Sequence, residues 1–538
     1  MKCSEGSYLL NRNISIAADN LPEGMEKEIS KFMVFLSRNA SINAQKVKGT
    51  GDITVSKDSS LPQEGYRLAV TPDKIKIEAS TDAGLFYAFQ TLKKMLPAQI
   101  AAGKMSKSNI SFPISLPSVE IEDEPRFSYR GFMLDVSRHF FDASQIKKML
   151  DLMAVYKLNR FHWHLTDDQG WRLPVDKYPE LTEKGAVNRN ILLSDFETQK
   201  QTRAGENASY GPFAYTKEEI RDIVDYARER HIEIIPEVDM PGHMVAAIHT
   251  YPQFSTDPES RRAIAAGIAL HATPDPDNVE SHFTHNIWNT GGISSDVLDI
   301  SKPEVITFAK DVIDALADLF PFQYIHIGGD ECPVDAWKKS EACQQLKKNL
   351  GLRSDEALQT WFMNEIAASA KEKHGRKIMG WNEIITAEGA DRTLIKKIDP
   401  VIFCWYPAEQ GVEICEKEGI PYIYTPFNGG YYINRSYKGI DKIGAGRDGS
   451  LFKSYNINPP QGRHCLGVQG TFWTEQVDRP RDLEYLALPR LIAIAEQGWT
   501  PVARKDYRDF LRRLESDLPY LDAAGYNYGR HQLSDRPE

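Results

Sequence analysis

Apolar and polar positions along the chain follow two successive regimes. Up to about residue 125, short alternating stretches dominate. Tyr66-Arg67-Leu68-Ala69-Val70 and Ile75-Lys76-Ile77-Glu78-Ala79 place apolar groups at every second position around Pro72-Asp73, which predicts a β-hairpin with one buried face. In the same region Asp82 to Leu92 repeats its apolar residues at helical spacing and stops short of Pro97, predicting one clear helix. Residues 98–125, rich in Ser, Pro and Lys, read as a last strand and a linker. A small α+β domain over residues 1–125 is expected, with no evident chemistry of its own.

From Tyr129 the pattern becomes strand, loop, helix, repeated. The predicted strands are Tyr129–Val136, Arg160–Leu165, Ile232–Val238, Tyr324–Ile327, Lys377–Trp381, Val401–Trp405, Pro421–Thr425 and Cys465–Trp473. Helical periodicity fills most intervals, notably Lys217–Arg230, Pro303–Leu319, Ser354–Lys373 and Leu483–Gln497. After the first strand, Asp142-Ala143-Ser144-Gln145 has capping-box spacing, and Phe141 is placed to staple onto Ile146. Eight strands with intervening helices predict an α/β fold, a (β/α)8 TIM barrel over residues 126–538 preceded by the small domain. The connection from strand seven to strand eight carries no convincing helix. Two long insertions, Gln169 to Tyr215 and Pro241 to Ser301, follow strand C-termini, the face on which barrel active sites are built.

Composition narrows the function classes. The chain has 538 residues, 41% hydrophobic and 26% charged, with a formal net charge of −10, an ordinary soluble globular balance. The absence of any long Lys/Arg run argues against a nucleic-acid partner. No apolar stretch reaches the ~18 residues of a membrane span. Aromatics make up 10% of the chain, many beside polar residues at strand ends, which favours a stacking, hydroxyl-rich ligand over a phosphate. The six cysteines (Cys3, Cys332, Cys343, Cys404, Cys415 and Cys465) form no C-x-x-C pair and no zinc-like spacing, so buried free thiols are expected. The first residues show no charged n-region followed by an apolar h-region, so no signal peptide is expected there. Met1-Lys2-Cys3-Ser4 reads as following a removed export segment, which predicts a periplasmic, cell-surface or secreted protein.

Candidate chemistry gathers at the strand ends. The fourth strand runs Tyr324-Ile325-His326-Ile327-Gly328-Gly329-Asp330-Glu331. Neighbouring side chains of an extended strand point to opposite faces, so Asp330 and Glu331 could not share a ligand there. The two glycines let the backbone turn and bring both acids to one cleft. A capped strand-to-helix turn would use the same residue types. The other ends supply Asp135 with Arg138-His139, His162 and His164 with Asp167-Asp168, Glu237 with Asp239, Trp381-Asn382-Glu383, Trp405-Tyr406, Tyr431-Tyr432-Ile433-Asn434 and Trp473-Thr474-Glu475. Packing alone does not explain eight aligned polar or aromatic ends. Trp361, in the middle of a predicted helix, is assigned to the core.

The runs His162-Trp163-His164-Leu165-Thr166-Asp167-Asp168-Gln169-Gly170-Trp171-Arg172, Asp239-Met240-Pro241-Gly242-His243 and His326-Ile327-Gly328-Gly329-Asp330-Glu331 resemble the motifs of family 20 glycoside hydrolases, the β-N-acetylhexosaminidases. The resemblance covers about Tyr129 to Thr500 and, through Gly84-Leu85-Phe86-Tyr87, extends to the small domain. It implies a retaining exo-enzyme that releases terminal GlcNAc or GalNAc from glycans. In such enzymes the substrate's own acetamido oxygen attacks and an oxazolinium ion forms. Glu331 is then the general acid and later the base, and Asp330 holds the acetamido nitrogen. Arg138 and Glu475 bind outer hydroxyls, and Trp381, Trp405 and Trp473 wall the pocket. His243 tunes Glu331 together with Asp167, the preferred partner, or Asp168. Tyr432, or Tyr431 in the competing register, binds the acetamido oxygen. No cofactor and no metal are implied. One departure stands out: where the family presents Tyr-x-Asp, this chain has Tyr432-Ile433-Asn434. A charged acceptor is worth about 1–2 kcal/mol more than a neutral one, so the outer hydroxyls lose that part of their hold.

Two other readings compete. In a metal-dependent amidohydrolase His162, His164 and His243 would be ligands, but strand eight ends in Trp473 and Glu475, not a ligand Asp. A non-catalytic glycan-binding barrel conflicts with the presence of both Asp330 and Glu331.

Overall fold

A computed structural model describes residues 2–189, 209–257, 293–428, 430–437, 440–441 and 443–535. The chain divides into two compact units. One comprises Met1–Ser128, Ala154–Lys157 and Glu496–Leu533; the other comprises Tyr129–Met153, Leu158–Ala495 and Ser534–Glu538.

The first unit is built on a seven-stranded mixed sheet in the order Lys2–Leu10, Ile114–Asp123, Tyr66–Val70, Ile75–Ala79, Ile53–Lys57, Asn13–Ala18, Asn43–Val47. The predicted hairpin pairs Tyr66 with Ala79 and Val70 with Ile75, and Thr71 N–H donates to the Lys74 carbonyl at 3.0 Å. The predicted helix runs Asp82–Lys94 and is capped by the Thr81 side chain. A second long helix, Glu23–Asn39, was not expected. Its buried stripe of Met25, Ile29, Phe32 and Leu36 also contains Glu28, and that carboxylate blurs the apolar period. Phe32 stacks on Phe89 of the other helix at 4.2 Å.

The expected division at residue 126 gave everything beyond it to the barrel, and here the structure differs. Helix Tyr507–Ala524 belongs to the first unit, with Phe510, Leu511, Leu514, Leu518 and Leu521 buried. It packs against Ala98–Ala101, and Asp517 takes Lys94 Nζ at 2.7 Å and the Tyr156 hydroxyl at 2.6 Å. An amphipathic stripe shows that a helix needs covering, not which surface covers it.

The second unit is a closed barrel of eight parallel strands: Tyr129–Asp135, Arg160–His164, Glu233–Glu237, Tyr324–His326, Lys377–Trp381, Val401–Cys404, Tyr422–Tyr424 and Cys465–Phe472. Every predicted strand is present, and seven of the eight end one residue early. Tyr129, Ile235, Met379, Trp381, Val401, Phe403 and Ile423 fill the interior. Asp142 caps helix Ala143–Val155 by accepting the Gln145 N–H at 2.9 Å, and Phe141 and Ile146 are buried. The helix expected over Leu483–Gln497 is two helices, Pro480–Ala487 and Arg490–Trp499, because Pro489 has no N–H to continue the ladder. Between strands seven and eight lie a short pair, Arg435–Tyr437 with Ala445–Gly449, and the six-residue helix Leu451–Asn456. Residues 190–208 and 258–292 of the two insertions lie outside the described residues.

All six cysteines are free, but only Cys343, Cys404 and Cys415 are buried; Cys3 is exposed. Trp361 is only partly buried. Among the described residues no helix is long and apolar enough to cross a membrane.

The barrel closes where strand eight meets strand one, from Gly467 opposite Tyr129 to Phe472 opposite Leu134. A Cβ on Gly467 would lie 1.8 Å from the Tyr129 carbonyl oxygen, which is backbone and cannot rotate away. Gly467→Ala should therefore lower unfolding stability by about 1–3 kcal/mol. Denaturant titration checks this, and an unchanged midpoint would contradict the closing register.

Candidate active site

The barrel's C-terminal face is organised around Glu237, the fully buried end of strand three. Its Oε1 accepts the Trp381 Nε1–H at 2.8 Å and lies 2.9 Å from His326 Nδ1. Its Oε2 faces His162 Nε2 at 2.9 Å and His164 Nδ1 at 2.5 Å. One carboxylate thus ties strands two, three, four and five. Burial opposes its charge, but His326, His164 and His162 outweigh burial and hold its pKa well below the usual carboxylate range. Burial also opposes charge on His164, yet Glu237 and Asp167 raise its pKa to about 10. For His162 burial wins and takes the pKa down to about 4.

A chain of alternating acids and imidazoles leads outward. His164 Nε2 donates to Asp167 Oδ2 at 2.7 Å, and Arg138 Nη2 reaches the same oxygen at 2.9 Å. His243 Nδ1 lies 3.1 Å from Asp167 Oδ1 and 3.2 Å from Asp168 Oδ2, so the ring sits between the two carboxylates. Its Nε2 lies 3.4 Å from Glu331 Oε2 and 3.8 Å from Asp330 Oδ2. Burial works against protonation of His243, but Asp167 and Asp168 dominate and raise its pKa well above the ordinary value.

The glycine pair does what the sequence required of it. Gly328 and Gly329 take φ of 61° and 87°, and the turn presents Asp330 and Glu331 to one pocket. Glu331 itself sits in the left-handed region at φ 46°, an uncommon conformation for a residue with a Cβ. The two acids are unequal: the Asp330 side chain is 9% exposed and that of Glu331 is 33% exposed. Burial raises the Asp330 pKa against the pull of His243.

The pocket has a volume of about 440 Å³. Of the residues proposed from sequence, Arg138, His243, Asp330, Glu331, Trp381, Trp405, Tyr432, Asn434, Trp473 and Glu475 line it, while Asp167 and Asp168 stand behind His243. The Tyr431 hydroxyl donates to the Ile457 carbonyl at 2.9 Å, whereas Tyr432 turns into the pocket and stacks on Trp405 at 6.1 Å. The Tyr432 hydroxyl and Asn434 Oδ1 are buried without an aligned hydrogen bond among the described residues. Arg138 is held from behind by Gln169 at 2.8 Å and Asp135 at 3.3 Å, and lies over the Trp473 ring at 4.9 Å. Beside it, burial raises the Glu475 pKa to about 7, against the lowering effect of Arg138.

Sequence reasoning assigned no role to Glu237, Asp239, Glu383, Gln169, Tyr406, Phe427 or Arg435. Glu383 accepts the Trp405 indole N–H at 2.7 Å, and burial followed by Asp330 pushes its pKa well above the usual range. Glu383, Gln169 and Tyr406 stood in the strand-end runs and Arg435 directly follows Asn434, so position could have found them. Phe427 carried no such signal. The three histidines of the metal alternative do not point at one centre: they are chained through Glu237 and Asp167.

Comparison with known proteins places this geometry. The description "Glycosyl hydrolase family 20, catalytic domain" matches residues 127–502, and "Glycosyl hydrolase family 20, domain 2" matches residues 1–124. A beta-hexosaminidase of Porphyromonas gingivalis is 37% identical over 488 residues, covering 88% of this chain and 56% of that protein. This chain therefore spans little more than half the length of that relative. A beta-hexosaminidase of Akkermansia muciniphila is 31% identical over 478 residues, covering 87% of this chain and 86% of that protein. The crystal structure of a GH20 exo β-N-acetylglucosaminidase from Vibrio harveyi, in complex with N-acetylglucosamine, superposes with a TM-score of 0.77 at 30% identity, covering 98% of this chain and 76% of that one.

The His164 pKa sets a pH window for stability. Because folding raises it from 6.5 to about 10, the contribution of His164 is complete below pH 6.5 and is lost as pH climbs through about 10. The thermal midpoint should fall by several degrees across that interval in the wild type and much less in His164→Gln. Parallel curves for the two proteins would remove the charged imidazole from the network.

Proposed function

The chain belongs to glycosyl hydrolase family 20, and from that premise we propose that it is a retaining exo-β-N-acetylhexosaminidase. It releases terminal β-linked N-acetylhexosamine from glycans, with the substrate's 2-acetamido oxygen as the nucleophile. The observation that carries this reading is the inequality of two adjacent carboxylates in one aromatic pocket: Glu331 at 33% exposure and Asp330 at 9%. The more exposed acid reaches the glycosidic oxygen at the pocket mouth, and the buried one meets the acetamido arm on the floor.

Glu331 protonates the leaving oxygen and, in the second step, takes a proton from the attacking water. His243, 3.4 Å away and backed by Asp167 and Asp168, faces the Glu331 carboxylate when the proton has left it. Asp330 accepts the acetamido N–H and offsets the positive charge that develops on nitrogen as the oxygen attacks. The Tyr432 hydroxyl donates to the acetamido oxygen and aims it at the anomeric carbon, an ordering that makes the attack intramolecular. Trp381, Trp405 and Trp473 enclose the acetamido methyl and the apolar ring face. Arg138, Asn434 and Glu475 hold the outer hydroxyls, Asn434 through a neutral acceptor.

Glu331→Gln should lower kcat on 4-nitrophenyl N-acetyl-β-glucosaminide and galactosaminide by about 10²–10⁴-fold. The wild type should cleave the matching glucoside, which lacks the acetamido arm, orders of magnitude more slowly. Equal rates on the two sugars would eliminate substrate assistance.

The Glu475 pKa of about 7 adds a second expectation. Above that pH it is a carboxylate able to accept two hydroxyls; below it, it is a neutral acid with reduced accepting capacity. KM should fall several-fold as pH rises through 7, and Glu475→Gln should flatten that dependence. A variant that keeps the wild-type KM profile would take Glu475 out of substrate binding.

A further inference from the structure

Asp239, in the loop after the third barrel strand, is 1% exposed and has no part in the chemistry above. Its position is built by the glycine pair. Oδ1 accepts the Gly329 N–H at 2.9 Å, and a Cβ on Gly328 would lie 1.8 Å from the same oxygen. The other oxygen, Oδ2, is buried without a donor among the described residues, and so is Oδ1 of Asp330. A carboxylate oxygen of each acid and a ring nitrogen of His243 all lie within 4.8 Å of one another. Ionised carboxylates only accept, so as two anions both buried oxygens would stay unsatisfied while their charges repel. One proton between them satisfies both.

We propose that Asp239 is a positioning residue, held protonated and donating its hydrogen to Asp330, so that Asp330 stays ionised with its second oxygen free for the acetamido N–H. The inference rests on the reading of Asp330 given above. Burial and then Asp330 push the Asp239 pKa well above the carboxylate range, while Asp330, also raised by burial, is drawn back by His243 and by the bond from Asp239. The other titratable groups facing the pair are His243, Glu331 and Glu237, with Glu383, Tyr432 and Cys332 beyond. Only His243 among them brings positive charge; it favours ionisation of both acids, and its Nε2 lies 3.8 Å from Asp330 Oδ2.

Two substitutions separate this role from simple packing. Asp239→Asn keeps both bonds, because its carbonyl accepts from Gly329 and its amide donates to Asp330. Asp239→Leu keeps neither. The Asn variant should retain kcat within a few-fold, whereas the Leu variant should lose about 10²-fold, the effect of a misplaced reacting group. Infrared difference spectra of wild type minus Asp239→Asn at neutral pH should show a protonated-carboxyl C=O stretch that the variant lacks. That band needs no turnover: its presence in a protein that cleaves no hexosaminide would overturn the proposed function and leave the shared proton standing. An Asn variant as slow as the Leu variant, or spectra with no such band, would overturn the inference. If the Leu variant does not fold, the rate of the Asn variant and the band decide.

Discussion

A buried carboxylate with no water to solvate it must be met by protein donors, and that constraint shapes this catalytic face. Glu237 draws in His162, His164, His326 and Trp381. Four adjacent strand ends are thereby held in register by one side chain at the barrel's centre. The charge balance then propagates: His164, held protonated, passes its second N–H to Asp167, which faces His243, which faces Glu331. Each member is fixed by the charge of the one behind it, so the outermost acid inherits its position from the core.

The same logic explains why two neighbouring acids have different tasks. A strand would send Asp330 and Glu331 to opposite faces; the left-handed turn at Gly328 and Gly329 sends both into the pocket at different depths. Depth then selects chemistry, since a buried carboxylate is an acceptor for a fixed partner and a half-exposed one can exchange its proton with a leaving group and with water. Asp239, seated against the bare Gly328 backbone, belongs to this turn as much as the glycines do. The pocket walls follow a similar division: Trp381 is anchored on the buried Glu237 and Trp405 on the partly buried Glu383, so each indole is oriented by a carboxylate.

Much of this was legible in the chain itself, and the misses have physical causes. The barrel strands, fully buried on both faces, stood out as apolar runs, and their ends as polar clusters. Helix Glu23–Asn39 escaped because a glutamate sits in its buried stripe, and Leu483–Gln497 was read as unbroken because periodicity is indifferent to the one missing N–H at Pro489. The register of Tyr431 and Tyr432 was open on paper because both are aromatic neighbours; the pairing of Ile433 N–H with the Thr471 carbonyl turns one out and the other in.

Local order along the chain was enough to determine an eight-stranded barrel, the face on which its chemistry gathers, and the turn that brings Asp330 and Glu331 together, because periodicity and glycine placement act between near neighbours. Which acids stand behind them was decided only by the tertiary structure. Glu237, Asp239 and Glu383 each acquire their role from a partner at or just beyond the end of another strand, and the charge of a buried group depends on what surrounds it in space, not on what adjoins it in sequence.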